Sequence, residues 1–168
     1  MEILTLGNPI LRQKSEPVTE VTPELEKTFE EMFDLMIETN GVGLAAPQVG
    51  ILQRFFVCMA DDDVKRVFVN PQIIETSSEL GEYEEGCLSI PKLYENIVRP
   101  VEVTVQEHNK KGKPVTSKQH MWYVYAFYSM DMTSFNTQLK LALQKIVREG
   151  GFTKEEATMI AQRGLQAM

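Results

Sequence analysis

Residues 41–50 read Gly41-Val42-Gly43-Leu44-Ala45-Ala46-Pro47-Gln48-Val49-Gly50, a small-residue stretch with one amide side chain and no charge. As backbone it reads as a tight loop. Gly41 and Gly43 would supply positive φ, and Ala45-Ala46 would let another segment approach closely. As a phosphate cradle it fails, because no Lys-Ser or Lys-Thr follows and no G-x-G-x-x-G is spelled. The loop alone does not decide the fold. A second stretch does, Glu85-Gly86-Cys87-Leu88-Ser89-Ile90-Pro91, in a chain with two cysteines and two histidines. Cys87 is either a buried hydrophobe or a metal ligand whose partners must be found.

The surrounding chain is that of one soluble domain. Its 168 residues carry 17 basic and 24 acidic side chains, a net charge of −7 that argues against DNA or other nucleic acid as a main partner. No basic n-region precedes an apolar run at the start, so no secretory signal is expected. No window approaches the roughly 18 apolar residues that a membrane span needs. Cys58 in an apolar run and Cys87 among glycine and acids do not look like a disulfide framework, and a reducing, cytoplasmic setting follows.

Thr22-Pro23 opens the clearest helix, with threonine as N-cap and proline at the first helical position. Leu25, Phe29, Met32, Phe33 and Met36 then recur at helical spacing, and Asn40-Gly41 ends the element. The apolar runs 51–59 and 67–74 read as strands separated by the charged turn Asp61-Asp62-Asp63, and 101–108 alternates with period two. Lys111-Gly112-Lys113-Pro114 follows as a turn. Near the end, Leu139, Leu143, Ile146 and Val147 form a second helical stripe, and Thr153 with Glu156 spells a capping box. A helix, several strands and then helices predict an α+β fold.

Taken together, GVGLAAPQ and EGCLS, in this order and at this spacing, resemble the first two motifs of the peptide deformylases. The stretches LGNPILRQKSEPV, VFVNPQI and RPVEVTVQEHNKKGKPV are similar to the family as well, so the resemblance runs over residues 1–116. It implies a single deformylase-like domain over 1–168, with antiparallel and mixed sheets around helices. Within it, 117–135 diverges and 136–168 is a C-terminal helical tail. The implied activity is removal of the formyl group from the N-terminal formylmethionine of nascent proteins. Cys87 would bind a divalent metal, typically Fe2+, which Zn2+, Ni2+ or Co2+ can replace. Gln48 and the backbone N–H of Leu88 would steady the oxygen that turns anionic during attack. Val42, Gly43, Tyr83, Glu85 and Leu88 match positions lining the substrate cleft, where an extended formylmethionyl peptide adds as a strand.

The family's third motif, H-E-x-x-H on a helix, is absent. It would place two imidazoles on one helical face and a carboxylate base between them. His108 and His120 are the only histidines, and neither sits in that pattern. Gln119-His120 begins like the family's Q-H-E, but Met121 follows and Val124 takes the second histidine's place. Measured from the turn at Gly112, the register falls on Tyr128, Ser129 and Met132, or on Met130, Asp131 and Ser134. Phenol, thioether and hydroxyl are poor ligands there, and no general base is identified. The expectation is impaired or lost hydrolysis, with two alternatives. One is a pseudoenzyme that binds formylmethionyl peptides or the ribosome, and the other is a frameshifted product without function. Lys140, Lys145 and Arg148, with no acid between 138 and 148, are the candidate ribosome contacts.

Overall fold

The computed structural model describes residues 1–60, 62–109 and 113–120. The alternative ligand registers at 128–134, the tail from 136 and the basic residues Lys140, Lys145 and Arg148 lie outside the described residues.

The fold begins where the sequence placed its clearest signal. Helix α1 spans Pro23–Glu38, and the Thr22 side chain accepts a hydrogen bond from the Leu25 N–H at 3.2 Å. Glu24 and Glu26 occupy its first turn, where carboxylates complement the exposed N–H groups. Phe29, Met32, Phe33 and Met36 are buried in a cluster with Val18, Leu44, Phe55, Val57 and Val69. This is the helical stripe meeting one face of a sheet.

That sheet has five strands in the order β1, β2, β3, β6, β7, all antiparallel. They are β1 (Gly43–Ala45), β2 (Phe55–Cys58), β3 (Arg66–Thr76), β6 (Glu102–His108) and β7 (Pro114–His120). Every residue of β2 is buried. Phe55 and Val57 meet α1, while Phe56 and Cys58 join Ala45, Phe68, Val103 and Val105 in a second apolar cluster. Burial on both faces explains why this strand reads as an unbroken apolar run. Phe29 meets Phe55 edge-on at 5.1 Å, and Phe56 stacks on Phe68 at 4.6 Å between centroids.

Between β3 and β6 the chain leaves this sheet to form a separate hairpin, β4 (Leu80–Cys87) and β5 (Ile90–Pro100). Periodicity gave no hint of it, because Glu82, Glu84, Glu85, Gly81 and Gly86 are poor strand formers. The α+β class stands, with antiparallel sheets, one α-helix and two short 3-10 helices among the described residues. The strand expected over 51–59 is shorter, Phe55–Cys58, with Gln53 making only an isolated bridge to Glu16. The divergent segment expected from 117 begins inside a regular strand, as Pro114–His120 pairs along β6 from His108 to Glu102.

The loop geometry expected at Gly41 and Gly43 needs correcting. Gly7 and Gly50 are the glycines at positive φ among the described residues, and Asn40 takes the left-handed position after α1 at φ 55°. Asparagine tolerates that conformation because its short amide can bond locally. Gly41 serves for space instead. A Cβ there would lie 2.7 Å from Leu88 Cδ1.

Candidate active site

The two motifs of the sequence meet across the gap between sheet and hairpin. Ala46–Val49 forms a single 3-10 turn, closed by Gly50 in the left-handed region at φ 83°. Gln48 stands third in that turn, and its Oε1 accepts the Ala45 N–H at 2.9 Å, one half of a capping box. Its other end is thereby aimed outward. Gln48 Nε2 donates to Ser89 Oγ at 3.1 Å and approaches Cys87 Sγ at 3.8 Å. Gln48 and Ser89 are buried, and Cys87 is half-buried at the end of β4.

The N-terminal segment ties the motifs together. The Leu4 N–H donates to the Gln48 carbonyl and the Leu6 N–H to the Ser89 carbonyl, each at 2.7 Å. Sequence reasoning missed both this strap and Ser89, although Ser89 lies inside the stretch it singled out. A hydroxyl two residues from a ligand candidate, in a run otherwise ready for burial, was the available signal.

The remaining cleft candidates fall around this pair. Val42 is exposed, and its carbonyl accepts the Met59 N–H at 3.0 Å. Gly43 opens β1 opposite Cys58. Leu88 packs its side chain against Gly41 and the α1 cluster. Tyr83 faces Ile97 in the hairpin, and its ring folds back over Gly81, where a Cβ would lie 2.5 Å from Oη. Glu85 gives both carboxylate oxygens to Arg99, Oε1 to Nε at 2.6 Å and Oε2 to Nη2 at 2.8 Å. The acid nearest to Cys87 in the sequence is therefore committed to a partner.

Burial pushes the Cys87 thiol above its ordinary value, against smaller opposing bonds from the backbone of Ser89 and Ile90 and from the Ser89 side chain. Burial likewise pushes Cys58 up to about 12, although Arg66 pulls it down. Both cysteines are free thiols.

The family model of polypeptide deformylases matches residues 1–127. The chain belongs to the polypeptide deformylase family. A peptide deformylase of Treponema pallidum is 50% identical over 113 residues, covering 67% of this chain and 69% of that protein. The crystal structure of the Thermotoga maritima peptide deformylase superposes with a TM-score of 0.71 at 37% identity, covering 79% of this chain and 90% of that one. Peptide deformylase 1B of Arabidopsis thaliana, solved with an inhibitor, gives a TM-score of 0.80 at 26% identity, covering 100% and 95%.

The family is metal-dependent, and the described residues do not assemble its metal centre. Among the described residues no three of His, Cys, Asp and Glu gather in a group that could hold an ion. His108 pairs with Val69 inside the five-stranded sheet, and its Nδ1 lies 3.0 Å from Asn70 Nδ2. Asn70 also binds the Val18 backbone through both ends of its amide, each at 2.8 Å, so His108 belongs to a network on the α1 side. His120 ends β7 opposite Glu102. With no H-E-x-x-H in the sequence, the chain lacks the family motif that would give Cys87 its histidine partners and its base.

Proposed function

We propose that this chain keeps the deformylase peptide cleft and has lost most of its hydrolytic power. The family acts on formylmethionyl peptides. The observation that carries the first half is the convergence of Gln48 Nε2 on Cys87 Sγ and Ser89 Oγ, which joins the two motifs across the cleft. In the family, an amide equivalent to Gln48 and the N–H at Leu88 stabilise the developing oxyanion. The same groups can hold the formyl oxygen of a bound ligand. Val42, Gly43, Tyr83 and Leu88 would line the groove for the methionine side chain and the extended backbone.

The second half rests on donor chemistry. One thiolate replaces a three-ligand set, and metal affinity falls steeply with each ligand lost, for Fe2+ as for Zn2+, Ni2+ or Co2+. Ser129 or Asp131 in the register of the base would not restore a glutamate's reach. We place the protein in the cytoplasm with nascent chains, and take the ribosome as a second partner through Lys140, Lys145 and Arg148. Co-sedimentation with ribosomes at two salt concentrations tests that contact.

Calorimetry with a formylmethionyl peptide, followed by a deformylation assay after loading with Fe2+, Ni2+ or Zn2+, tests the main reading. Binding without turnover is expected. Stoichiometric metal that vanishes on Cys87→Ser, together with turnover, would sink the proposal of lost hydrolysis. Absence of binding would sink the cleft itself.

A further inference from the structure

We propose that Arg99 is a positioning residue for Cys87, acting through Glu85. The inference rests on the reading of the Gln48–Cys87 cleft as the peptide site, and its grounds lie in the hairpin. A two-stranded ribbon has little independent stability, and its register is weakly specified where a strand is as polar and glycine-rich as β4, with Gly81, Glu82, Glu84, Glu85 and Gly86. Here β4 and β5 pair regularly from Leu80 opposite Pro100 to Gly86 opposite Tyr94. The register then shifts, and Cys87 faces Ile90. The residue that must meet Gln48 therefore sits just beyond an irregularity, at the end of a ribbon whose outer face carries exposed Leu80, Tyr94 and Val98.

Arg99 supplies the missing restraint. It stands opposite Gly81, yet its guanidinium reaches Glu85 four residues further along β4. Two parallel hydrogen bonds, at 2.6 and 2.8 Å, form the fork geometry that arginine makes with a carboxylate. The side chains are 15% and 9% exposed, so water competes weakly for either partner. Glu85 and Cys87 share a face of β4, since strand side chains alternate. A slip of one residue would turn Glu85 to the other face and break both bonds. The pair thus locks the face that carries Cys87 and holds its sulfur 3.8 Å from the Gln48 amide.

The chain has its own reference thiol. Cys58 is 2% exposed at the end of β2, in the five-stranded sheet and outside the hairpin's own pairing. The experiment follows iodoacetamide modification of both cysteines in the folded protein, peptide by peptide, for the wild type and for Arg99→Ala, Arg99→Lys and Glu85→Gln. In Arg99→Ala the Cys87 rate should rise about tenfold, the factor expected when a local opening becomes easier by about 1.4 kcal/mol, while Cys58 keeps its rate. Removing a cation by itself would make the thiol less reactive, so acceleration reports freed geometry. Arg99→Lys keeps the charge without the fork and should fall between the two, and Glu85→Gln should match it. If both thiols accelerate together the pair supports the whole fold, and the proposal fails. An unchanged Cys87 rate in any folded variant, Arg99→Lys included where the alanine variant does not fold, overturns it equally. Formyl-peptide calorimetry on the wild type judges the cleft independently of the thiol ratio.

Discussion

The five-stranded sheet and the β4–β5 hairpin solve opposite problems with neighbouring stretches of one chain. The sheet buries both faces of β2, with Phe55, Phe56 and Val57 fully enclosed. Its register is set by apolar contacts that a slip would expose to water. The hairpin has two strands, an outer face of exposed side chains and a charged fork, Arg99 on Glu85, to which we assign its register. Yet Cys87, the proposed centre of the site, belongs to the hairpin. The rigid partner is Gln48, seated in a turn of the α1–β1–β2 layer and pinned by the Leu4 N–H. The proposed cleft, with one fixed wall and one lightly held wall, would suit a peptide that enters as an added strand.

The largest effect should come from the rigid wall. Phe55→Ala removes a fully buried ring that packs edge-on against Phe29 and fills the α1 side of the core. Denaturant unfolding should show a loss of about 3–5 kcal/mol. A loss below about 1 kcal/mol would mean that the sheet is no better packed than the hairpin, and the contrast would collapse.

Gly41→Ala probes the seam between the two regions. The new Cβ would meet Leu88 Cδ1 at 2.7 Å and Met36 Cγ at 3.4 Å, at a position without positive φ, so the cost is steric alone. Leu88 can yield because the close atom is the tip of its side chain, and a loss of about 1–2 kcal/mol is expected. Formyl-peptide affinity should fall as well, since Leu88 adjoins Cys87. Unchanged affinity with reduced stability would detach Leu88 from the site.

These two regions also differ in how far the sequence disclosed them. Helix α1 was legible to its N-cap because Thr22, Pro23 and the spacing of Phe29, Met32, Phe33 and Met36 are local signals of one physical origin. Strands β2, β3 and β6 were legible as apolar or alternating runs. The hairpin was not, because its strands are held by the long-range Arg99–Glu85 fork and by pairing, neither of which leaves a periodic trace. Within the site, Gln48 and Cys87 stood out as the lone amide and the framed thiol. Ser89 and the Leu4–Leu6 strap did not, because their part is defined by backbone bonds between segments more than 40 residues apart. The role expected of Gly41 went wrong for a related reason. Its need for space comes from Leu88, which no local pattern connects to it.

Acidity gives a smaller test, confined to the sheet. Burial pushes the Glu107 carboxyl up to about 7 from 4.5, opposed by a hydrogen bond from the Val69 backbone. The folded protein then holds this proton more tightly than the unfolded chain does. The associated stability is fully present below about 4.5 and is lost as pH rises through about 7. Solvent screening at this half-buried site reduces the swing to about 1 kcal/mol. Unfolding midpoints between pH 4.5 and 7.5 should fall with pH in the wild type and stay flatter in Glu107→Gln. Parallel curves for the two proteins would show that Glu107 is solvated like an ordinary surface acid.

The smallest effect belongs to the outer face of the hairpin. Val98 is 61% exposed and stands opposite Glu82, with Leu80, also 61% exposed, on the same face. Val98→Thr keeps the β-branched shape that suits a strand and replaces one methyl by a hydroxyl that water can reach. The folded state loses almost no buried apolar area, so unfolding free energy should shift by less than about 0.5 kcal/mol. Formyl-peptide affinity should hold too, because Glu85 and Cys87 point to the opposite face. A loss above about 1 kcal/mol would instead mean that this face is covered in solution. The hairpin would then be a buried layer like the sheet, its register would owe more to packing than to the Arg99–Glu85 fork, and the lightly held wall would not exist.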